Sequence, residues 1–572
     1  MQQLGEACER IAGTTKKLEK IAIVADYLKS RPPEEAAVSA VFLSGRPFPV
    51  WDAGPLRVGG ALVWQLIQEL SGKNEAELTA AYRKHGDLGA VAGEVLPPKP
   101  DSDLLNAVQV QKRFREIAKA RGPSAKDPLL RELLAGATPL EAKYLIKIMT
   151  GDLRIGLKES LVEEAIAKAY GLILSDVQRA NMLLGDIGET LRLAAQGRLA
   201  KAKMRLFHPL GFMLASPVDS PEEGLSYFSD AAVEDKYDGI RAQAHGSGGG
   251  VKIFSRTRDE ITESFPELRD ALSGLTEEVI LDGEIVAWSY PPKHPPEQGR
   301  ALPFSALQQR LGRKKVSENL MRQVPVAYLA FDVLYAGDEL VIDRPLRERA
   351  EILNRLLSAP RGAVTARGGP AQGQLWFEPD QLPAAAHVIR APVFQASAPE
   401  QLEELFVAAQ ARGNEGLMIK DLDSVYAPGR RGKSWLKMKR ELATLDVVVT
   451  AVEYGHGKRI GVLSDYTFAV REGDRLVNIG KAYSGLTDSE IAEMTKWFLE
   501  HTVVDHGLLL EVEPEIVVEV AFNNMMRSDR HNSGYALRFP RIVRLRPDKL
   551  PGEADTIERV REIYERQHAE RT

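Results

Sequence analysis

The spacing of hydrophobic residues changes twice along the chain, and these changes constrain the fold more than any other feature. In residues 1–205 apolar residues recur every three to four positions, as in LEKIAIVADYLKS and LVEEAIAKAYG, which is the period of an amphipathic helix. In 206–440 alternating runs mix with helical segments, and in 441–572 short strands predominate. The pattern predicts a multidomain protein whose domains are these ranges.

The period within each range predicts its structural class. The first domain is expected to be all-α. In the second, IRAQAH and VKIFSR alternate on either side of a glycine-rich turn and predict a β-hairpin, while EVILDGEIVAW, VAYLAFDVLY, EGLMIKD and SWLKMK predict further strands. Helical segments such as PEQLEELFVAAQARG intervene, which indicates an α+β domain. The short strands of the third domain, with one helix at TDSEIAEMTKWFLEH, suit a small closed β-barrel.

Composition excludes several classes of protein. The chain has 572 residues, of which 44% are hydrophobic and 27% charged, and none of its apolar runs approaches the roughly 20 residues that cross a bilayer. The N-terminal residues lack the pattern of a secretory signal, so we expect a cytoplasmic protein without a membrane span. A single cysteine, Cys8, excludes intramolecular disulfides and cysteine-rich zinc sites, and we interpret it as inert.

Positive charge is concentrated locally although the net charge is −5. The run RRGKSWLKMKR at 430–440 carries six cations and no acid, and LRFPRIVRLRPDK at 537–549 carries five cations and one acid. Such runs either bind anions or form solvated faces, and each run alone leaves both readings open.

Lys236 lies in the stretch EDKYDGIR, between acidic residues. A lysine attacks phosphorus only when its amine is unprotonated, which burial or nearby positive charge favours. Glu234, Asp235 and Asp238 favour the protonated form, so they must contact other groups or be outweighed. In an extended strand Glu234 and Lys236 share one face and Asp235 points the other way. For this stretch alone, a surface strand with alternating charges is the competing interpretation.

Six further motifs follow EDKYDGIR in order: FSR, LDGEIV, FDVLY, EGLMIK, WLKMK and LRFPRIVRLRPDK. The set resembles the ordered motifs of the covalent nucleotidyltransferases. The segment EAKYLIKIMTGDLRIGLKESLVEEAIAKA resembles the N-terminal DNA-binding domain of archaeal and eukaryotic replicative-type ATP-dependent DNA ligases. The resemblance covers almost the whole chain, and it implies a helical DNA-binding domain, an adenylation (nucleotidyltransferase) domain and a C-terminal OB-fold.

The resemblance also implies a reaction in three steps. Lys236 attacks the α-phosphorus of ATP and expels pyrophosphate, AMP passes to a DNA 5′-phosphate, and a 3′-hydroxyl displaces AMP to seal the nick. The implied substrates are ATP and nicked double-stranded DNA, and the implied metal is Mg²⁺, for which Mn²⁺ could substitute. We expect a monomer that acts in DNA replication, repair or recombination, among which the sequence does not choose.

Carried over residue by residue, the resemblance assigns a binding site. Glu284 and Glu415 become the metal-side carboxylates. Asp282 either joins them or caps a turn before Gly283. Glu234 would recognise adenine. The full set of nucleotide-binding residues comprises Glu234, Arg241, Arg256, Glu284, Phe331, Arg431, Lys437 and Lys439.

Each of these roles has a plainer alternative. Phe331 would stack on the adenine, whereas an isolated phenylalanine in an apolar strand is more often a core residue. Arg241 and Arg256 would bind the ribose or phosphates. In an extended WLKMK, Lys437 and Lys439 share one face and would contact phosphate, or they would mark a solvated edge strand.

Two outlying groups of residues have less specific interpretations. The C-terminal motif would meet pyrophosphate or nucleic acid through cations that the sequence does not rank: Arg538, Arg541, Arg546 and Lys549. Its distance from Lys236 in sequence suggests a separate barrel that swings over the nucleotide for the first step and away for DNA. In the N-terminal domain, Arg154 and Gly156 suit a phosphate backbone, or they are a helix-end arginine and a packing glycine.

Rival functions share part of this pattern. An RNA ligase or an mRNA capping guanylyltransferase would carry the lysine motif, but neither predicts the N-terminal helical domain. An NAD-dependent DNA ligase would be expected to carry a cysteine-ligated zinc module, which one cysteine cannot build. A non-catalytic DNA-binding scaffold is a further alternative, although every charged motif position is retained.

Overall fold

The computed structural model describes all residues except 53–55, 57, 100–105, 229, 249, 276, 291–294, 312, 314–315, 359–385, 440–442, 457–458 and 570–572. The chain divides into two compact units, one formed by Met1–Lys203 with Glu441–Gln567 and the other mainly by Met204–Arg440. The domain boundary expected between 440 and 441 falls outside the described residues, and the one expected after 205 stays a prediction. No helix in the described ranges has the length and apolarity needed to cross a membrane.

The secondary-structure elements described in residues 1–203 are all helices, which confirms the expected all-α region. The helices are α1 Gln2–Ala12, α2 Lys17–Lys29, α3 Pro33–Leu43, α4 Gly60–Ser71, α5 Glu75–His85, α6 Leu88–Val95, α7 Ala107–Lys119, α8 Pro123–Gly136, α9 Pro139–Thr150, α10 Glu159–Tyr170, α11 Leu174–Leu184 and α12 Ile187–Ala195. Capping boxes begin α5, α7 and α9, where Asn74, Asn106 and Thr138 each accept from a backbone N–H of the first turn. Burial of the Cys8 thiol in the helical core raises its pKa, as expected for an inert cysteine.

The C-terminal range is rich in strands, as its sequence pattern predicts. Its elements are β13 Ala443–Tyr454, β14 Leu463–Glu472, β15 Arg475–Ala482, α19 Asp488–Glu500, β16 Thr502–Asp505, β17 Leu509–Val512, β18 Val517–Phe522, β19 Asn524–Arg527, β20 Tyr535–Arg538, β21 Arg541–Leu545 and α20 Ile557–Ala569. The strands pair in the order β15-β14-β13-β17-β16, and β18 pairs with both β13 and β21. The helix predicted at TDSEIAEMTKWFLEH is α19, whereas α20 was not predicted.

The helical and C-terminal parts of this unit contact each other around Arg83 at the end of α5. Its guanidinium donates to the Asp505 carboxylate over 2.5 Å and to the Gly507 carbonyl over 2.7 Å. Its Cζ lies 5.9 Å from the ring centre of Tyr454. The C-terminal strands are therefore packed against the helical region in this conformation.

In the second unit, strands and helices alternate along the chain and the strands form two sheets, which confirms the expected α+β domain. Its elements are β1 Leu214–Val218, α13 Pro221–Ser226, β2 Ala231–Lys236, β3 Ile240–Ser247, β4 Gly250–Ser255, α14 Pro266–Ser273, β5 Val279–Ser289, β6 Arg300–Ala301, α15 Phe304–Gln308, α16 Glu318–Gln323, β7 Val326–Ala336, β8 Glu339–Leu340, α17 Leu346–Ser358, β9 His387–Arg390, β10 Val393–Phe394, α18 Pro399–Ala411, β11 Gly416–Asp421 and β12 Arg431–Met438. The first sheet has the order β1-β12-β11-β2-β10, and the second has β4-β3-β5-β7-β8 with β6 on β5 and β9 on β7. Every strand predicted in this range is present.

Candidate active site

Lys236 is the last residue of β2, and strand pairing brings it to a carboxylate. β2 runs antiparallel to β11 with Lys236 opposite Gly416, and the backbone N–H of Glu415 donates to the Lys236 carbonyl over 2.8 Å. This register places the Glu415 side chain beside Lys236, and its Oε2 contacts the lysine Nζ. Lys236 and Glu415, assigned from separate motifs, are thus brought together.

The acidic neighbours of Lys236 contact other groups, as the sequence argument requires. Glu234 accepts a hydrogen bond from the Lys420 Nζ over 2.5 Å. Asp235 accepts from the Arg412 guanidinium over 2.7 and 2.8 Å and from the Asn414 amide over 2.8 Å. The expected alternation is confirmed, because Glu234 and Asp235 find their partners on opposite sides of the strand.

Lys420 joins Glu234 to two aromatic rings. Its Nζ lies 4.3 Å from the ring centre of Phe331 on β7 and 4.4 Å from that of Trp435 on β12. Burial lowers the pKa of Lys420, and the Glu234 charge opposes that shift. Phe331 is half-buried and lies edge-on to Trp435 with their ring centres 6.0 Å apart. Glu234 and Phe331 therefore lie near a common cation, which sequence reasoning did not assign.

Arg241 is held by a buried carboxylate. Its Nε and Nη2 donate to Asp282 over 3.1 and 2.7 Å, and its Nη1 donates to the Met213 carbonyl over 2.6 Å. The Tyr426 hydroxyl donates to the same Asp282 over 2.6 Å. The expectation that Asp282 caps a turn is wrong, because β5 continues through it and its carboxylate orients Arg241 and Tyr426.

Glu284, two residues further along β5, is the carboxylate whose ionisation is most disturbed near Lys236. Burial raises its pKa to about 8, the charges of Asp282 and Glu415 act in the same direction, and those of Lys236 and Arg241 oppose them. A carboxylate in such surroundings is stabilised as an anion when a further cation binds beside it.

Four predicted phosphate-binding residues form a group of like charges near Lys236, which we call the cation cluster: Arg256, Arg431, Lys437 and Lys439. Burial and the charges of Lys439, Lys236, Arg431 and Arg256 lower the pKa of Lys437. In the part of the chain that the structure describes, none of the four has a hydrogen-bonding or ion-pairing partner. Leu436 and Met438 point into the hydrophobic core, which confirms the predicted faces of β12. Like charges held together without acids favour binding of an anion.

Comparison with known proteins is consistent with this geometry. Residues 212–439 match the family model described as ATP dependent DNA ligase domain, residues 1–167 match DNA ligase N terminus, and residues 459–549 match ATP dependent DNA ligase C terminal region. A probable DNA ligase of Koribacter versatilis is 59% identical over 573 residues, covering 100% of this chain and 98% of the relative. The chain belongs to the ATP-dependent DNA ligase family.

Other members of the ligase family are also similar over most of their length. A DNA ligase of Methanothrix thermoacetophila is 36% identical over 577 residues, with 98% of each chain covered. The solved structure titled Pmar-Lig_PreS3 superposes with a TM-score of 0.59 at 16% identity, over 95% of this chain and 99% of that one. The latter likeness concerns the fold alone.

In this ligase family member the cations of the C-terminal motif differ in their contacts. Arg546 donates to Asp446 over 2.8 Å and to Asp548 over 2.7 Å, and the Lys549 Nζ lies 2.6 Å from Asp446. Arg541 is exposed, and the Arg538 guanidinium lies 4.9 Å from the ring centre of Phe539. Arg546 and Lys549 thus share the Asp446 carboxylate.

The N-terminal candidates lie in one loop of the ligase chain. Arg154 has a positive φ of 49°, and its guanidinium donates to Asp152 and, over 2.6 Å, to the Gly86 carbonyl. Gly156 also has a positive φ, 63°, which glycine adopts without strain. These contacts account for both residues structurally, and a role toward phosphate stays a prediction.

Sequence reasoning missed Lys420, Arg412, Asn414 and Tyr426. The final lysine of EGLMIK offered a signal, because strand alternation from Met418 places Lys420 on the face that crosses to Glu234. Arg412 and Asn414 precede that motif in an ordinary loop, and Tyr426 follows it, so periodicity did not mark them.

Proposed function

We propose that this chain is an ATP-dependent DNA ligase that seals nicks in duplex DNA through an AMP bonded to Lys236. The observation that carries the proposal is that the Lys236 amine contacts the Glu415 carboxylate and lies close enough to the cation cluster to act electrostatically on Lys437. A nucleophilic amine, an acidic group and unpaired cations are what nucleotidyl transfer to a lysine requires.

In the first step the deprotonated Lys236 Nζ attacks the α-phosphorus of ATP. The Nζ–P bond forms as the bond from that phosphorus to the bridging oxygen breaks, and pyrophosphate leaves with the electron pair. The amine must lose its ammonium proton before it can attack. The cations of the cluster neutralise charge on the phosphate oxygens while the bonds change. AMP then passes to a DNA 5′-phosphate, and the 3′-hydroxyl displaces it.

The adenine base would lie beside Glu234 and Phe331. An ionised Glu234 only accepts hydrogen bonds, so it favours a base with an exocyclic amino group over one with an oxo group at that position. The Phe331 ring offers a stacking face. Arg241, oriented by Asp282, and Arg256 would contact the ribose or the phosphates.

Glu284 and Glu415 would hold Mg²⁺, or Mn²⁺ in its place. The described residues contain no group of three or more metal-ligating side chains, and Mg²⁺ usually takes only one or two protein carboxylates together with water and substrate phosphates. The donor set therefore fits, and the raised pKa of Glu284 marks a carboxylate that a cation would stabilise. When bound, Mg²⁺ would shield charge on the triphosphate.

The remaining assignments follow the same reading. Residues 1–205 would bind nicked DNA, 206–440 would carry adenylation, and 441–572 would be an OB-fold domain. We expect a cytoplasmic monomer in DNA replication, repair or recombination. The C-terminal domain would swing over the nucleotide for the first step and away for DNA.

Labelled nucleotides test the proposal. The protein is incubated with Mg²⁺ and α-labelled ATP, GTP or NAD, and covalent, acid-labile label on the chain is measured. Label from ATP alone is expected. Label from GTP would indicate a capping enzyme, and no label would favour a DNA-binding scaffold. The Lys236→Arg variant should take up no label, because a guanidinium remains protonated; a labelled variant would refute the assignment.

A further inference from the structure

The link between α18 and β11 contacts β2 on both of its sides. This link, residues 412–415, is short, and its three side chains, those of Arg412, Asn414 and Glu415, all contact β2. Arg412 and Asn414 bind Asp235 on one side, and Glu415 contacts Lys236 on the other. Asp235 and Lys236, which are adjacent in β2, are thus both held by side chains of the same short link.

The contact to Asp235 joins a buried carboxylate to a more exposed arginine. The Asp235 side chain is 4% exposed, and both of its oxygens accept from the Arg412 guanidinium in the two-pronged geometry that orients an arginine most strictly. The Asn414 amide adds a third donor. The Arg412 guanidinium also lies 5.4 Å from the ring centre of Phe394, on the strand next to β2.

The link is itself hydrogen-bonded to α18, so its contacts can hold β2 in a fixed position. The Asn414 N–H donates to the Ala409 carbonyl over 3.0 Å, and the Gly413 N–H donates to the Gln410 carbonyl over 2.8 Å. Gly413 has a φ of 85°, which only glycine adopts readily and which turns the chain toward β11. A shift of β2 relative to the link would therefore break the Asp235 contacts and displace Lys236 from Glu415 together.

We propose that Arg412 and Asn414 are positioning residues for self-adenylation. By holding Asp235 they fix the end of β2, and thereby the Lys236 amine, against Glu415 and the cation cluster. The clamp formed by Asp235, Arg412 and Asn414 also neutralises a carboxylate one residue from the nucleophile, where its charge would repel an approaching triphosphate. This inference rests on the proposed function, since it concerns the step in which Lys236 acts.

Single-turnover kinetics of two separate reactions tests the clamp. Self-adenylation is followed with α-labelled ATP, and sealing is followed on nicked DNA that already carries the 5′-adenylate, a reaction that does not use the Lys236 amine as nucleophile. The Arg412→Met variant should slow self-adenylation at saturating ATP by about 10- to 100-fold, because small misplacement of a reacting group costs that much. Sealing of adenylated DNA should stay within about threefold of wild type. Arg412→Lys, which keeps the charge but not the two-pronged contact, should recover part of the rate.

Arg347 provides a matched control. It pairs with Asp423 over 2.7 Å, and its side chain is 44% exposed against 42% for Arg412. The Arg347→Met variant removes an arginine of similar exposure in the same unit, although its partner Asp423 is 62% exposed, and both reactions should proceed at the wild-type rate. Thermal unfolding of both variants shows how much each substitution destabilises the fold.

Each outcome bears on the clamp. Loss of adenylation with preserved sealing supports it, whereas equal loss of both reactions or an unchanged adenylation rate in Arg412→Met overturns it. If Arg412→Met does not fold, Asn414→Ala and Arg412→Lys are compared instead, and the same split between the reactions is required. Absence of covalent label on wild-type protein would refute the proposed function itself, so the two failures are distinguishable.

Discussion

The cation cluster near Lys236 and the cations of the C-terminal motif look alike in sequence but differ in structure. Lys437 and its neighbours in the cluster have no acidic partner among the described residues, and burial, together with their mutual repulsion, lowers the pKa of Lys437. Arg546 and Lys549 both bind Asp446, with Arg546 also bound to Asp548. The cation cluster thus has no acidic partner among the described residues, whereas Arg546 and Lys549 of the C-terminal motif are paired with carboxylates.

This difference indicates what each run does. Unpaired like charges cost folding free energy unless an anion binds, and a protein retains them where binding or catalysis needs them. Cations that share a partly buried carboxylate contribute to the fold of their own domain. We therefore propose phosphate chemistry for the cluster and a structural role for Arg546 and Lys549.

The largest expected effect is on adenylation when the cluster loses Lys437. The Lys437→Met variant should lower the rate of self-adenylation by about 10²- to 10³-fold, as loss of one positioned group that stabilises transition-state charge does. Its thermal stability should equal or exceed that of wild type, because repulsion within the cluster is relieved. Label incorporation from ATP and a thermal melt measure the two effects. A rate of self-adenylation within threefold of wild type would contradict a catalytic role for the cation cluster.

A substitution in the C-terminal domain should show the reverse pattern. Asp446→Asn leaves Arg546 and Lys549 without their shared carboxylate, whose side chain is 13% exposed, and should lower the free energy of unfolding by about 1–3 kcal/mol. Chemical denaturation monitored by circular dichroism measures the change. Asp548→Asn is the matched control, because Asp548 is 62% exposed and should contribute much less. Equal stability of Asp446→Asn and wild type would contradict a structural role for the pair.

The smallest expected effect concerns the acid stability of the same motif. The hydrogen bond from Arg546 lowers the pKa of Asp548 to about 2, below its ordinary value of 3.8. The contribution of this contact to stability is therefore complete above pH 3.8 and is lost as the pH falls toward 2. Stability measured against pH should fall slightly less steeply in this window for Asp548→Asn than for wild type. High salt should shrink the difference, since Asp548 is exposed; a salt-independent difference would point to another cause.

Local sequence patterns were sufficient for the strands and for part of the site. The alternation of EDKYDGIR and WLKMK predicts the faces on which Glu234, Lys236 and Lys437 lie, because side-chain direction in a strand depends only on position along it. The order of the motifs then assigned Lys236 and Glu415 to the same site. Helical and strand periods likewise predicted the class of each range.

Contacts that depend on strand register could not be predicted from the sequence. Lys420 meets Glu234 across 186 residues, Arg412 meets Asp235 across 177, and Arg546 meets Asp446 across 100. Such pairs arise only when two distant strands or loops pack in one particular register. Asp282 shows the same limit, since its strand was predicted but its pairing with Arg241 of the neighbouring strand was not.

The most direct test of the account is to locate the adenylate itself. The protein is charged with ATP and Mg²⁺, digested under conditions that preserve a phosphoramidate bond, and the peptides are sequenced by mass spectrometry. We expect AMP on the Lys236 Nζ. AMP on a different side chain, or a fully folded protein that carries none, would contradict the assignment of this residue and the site built around it.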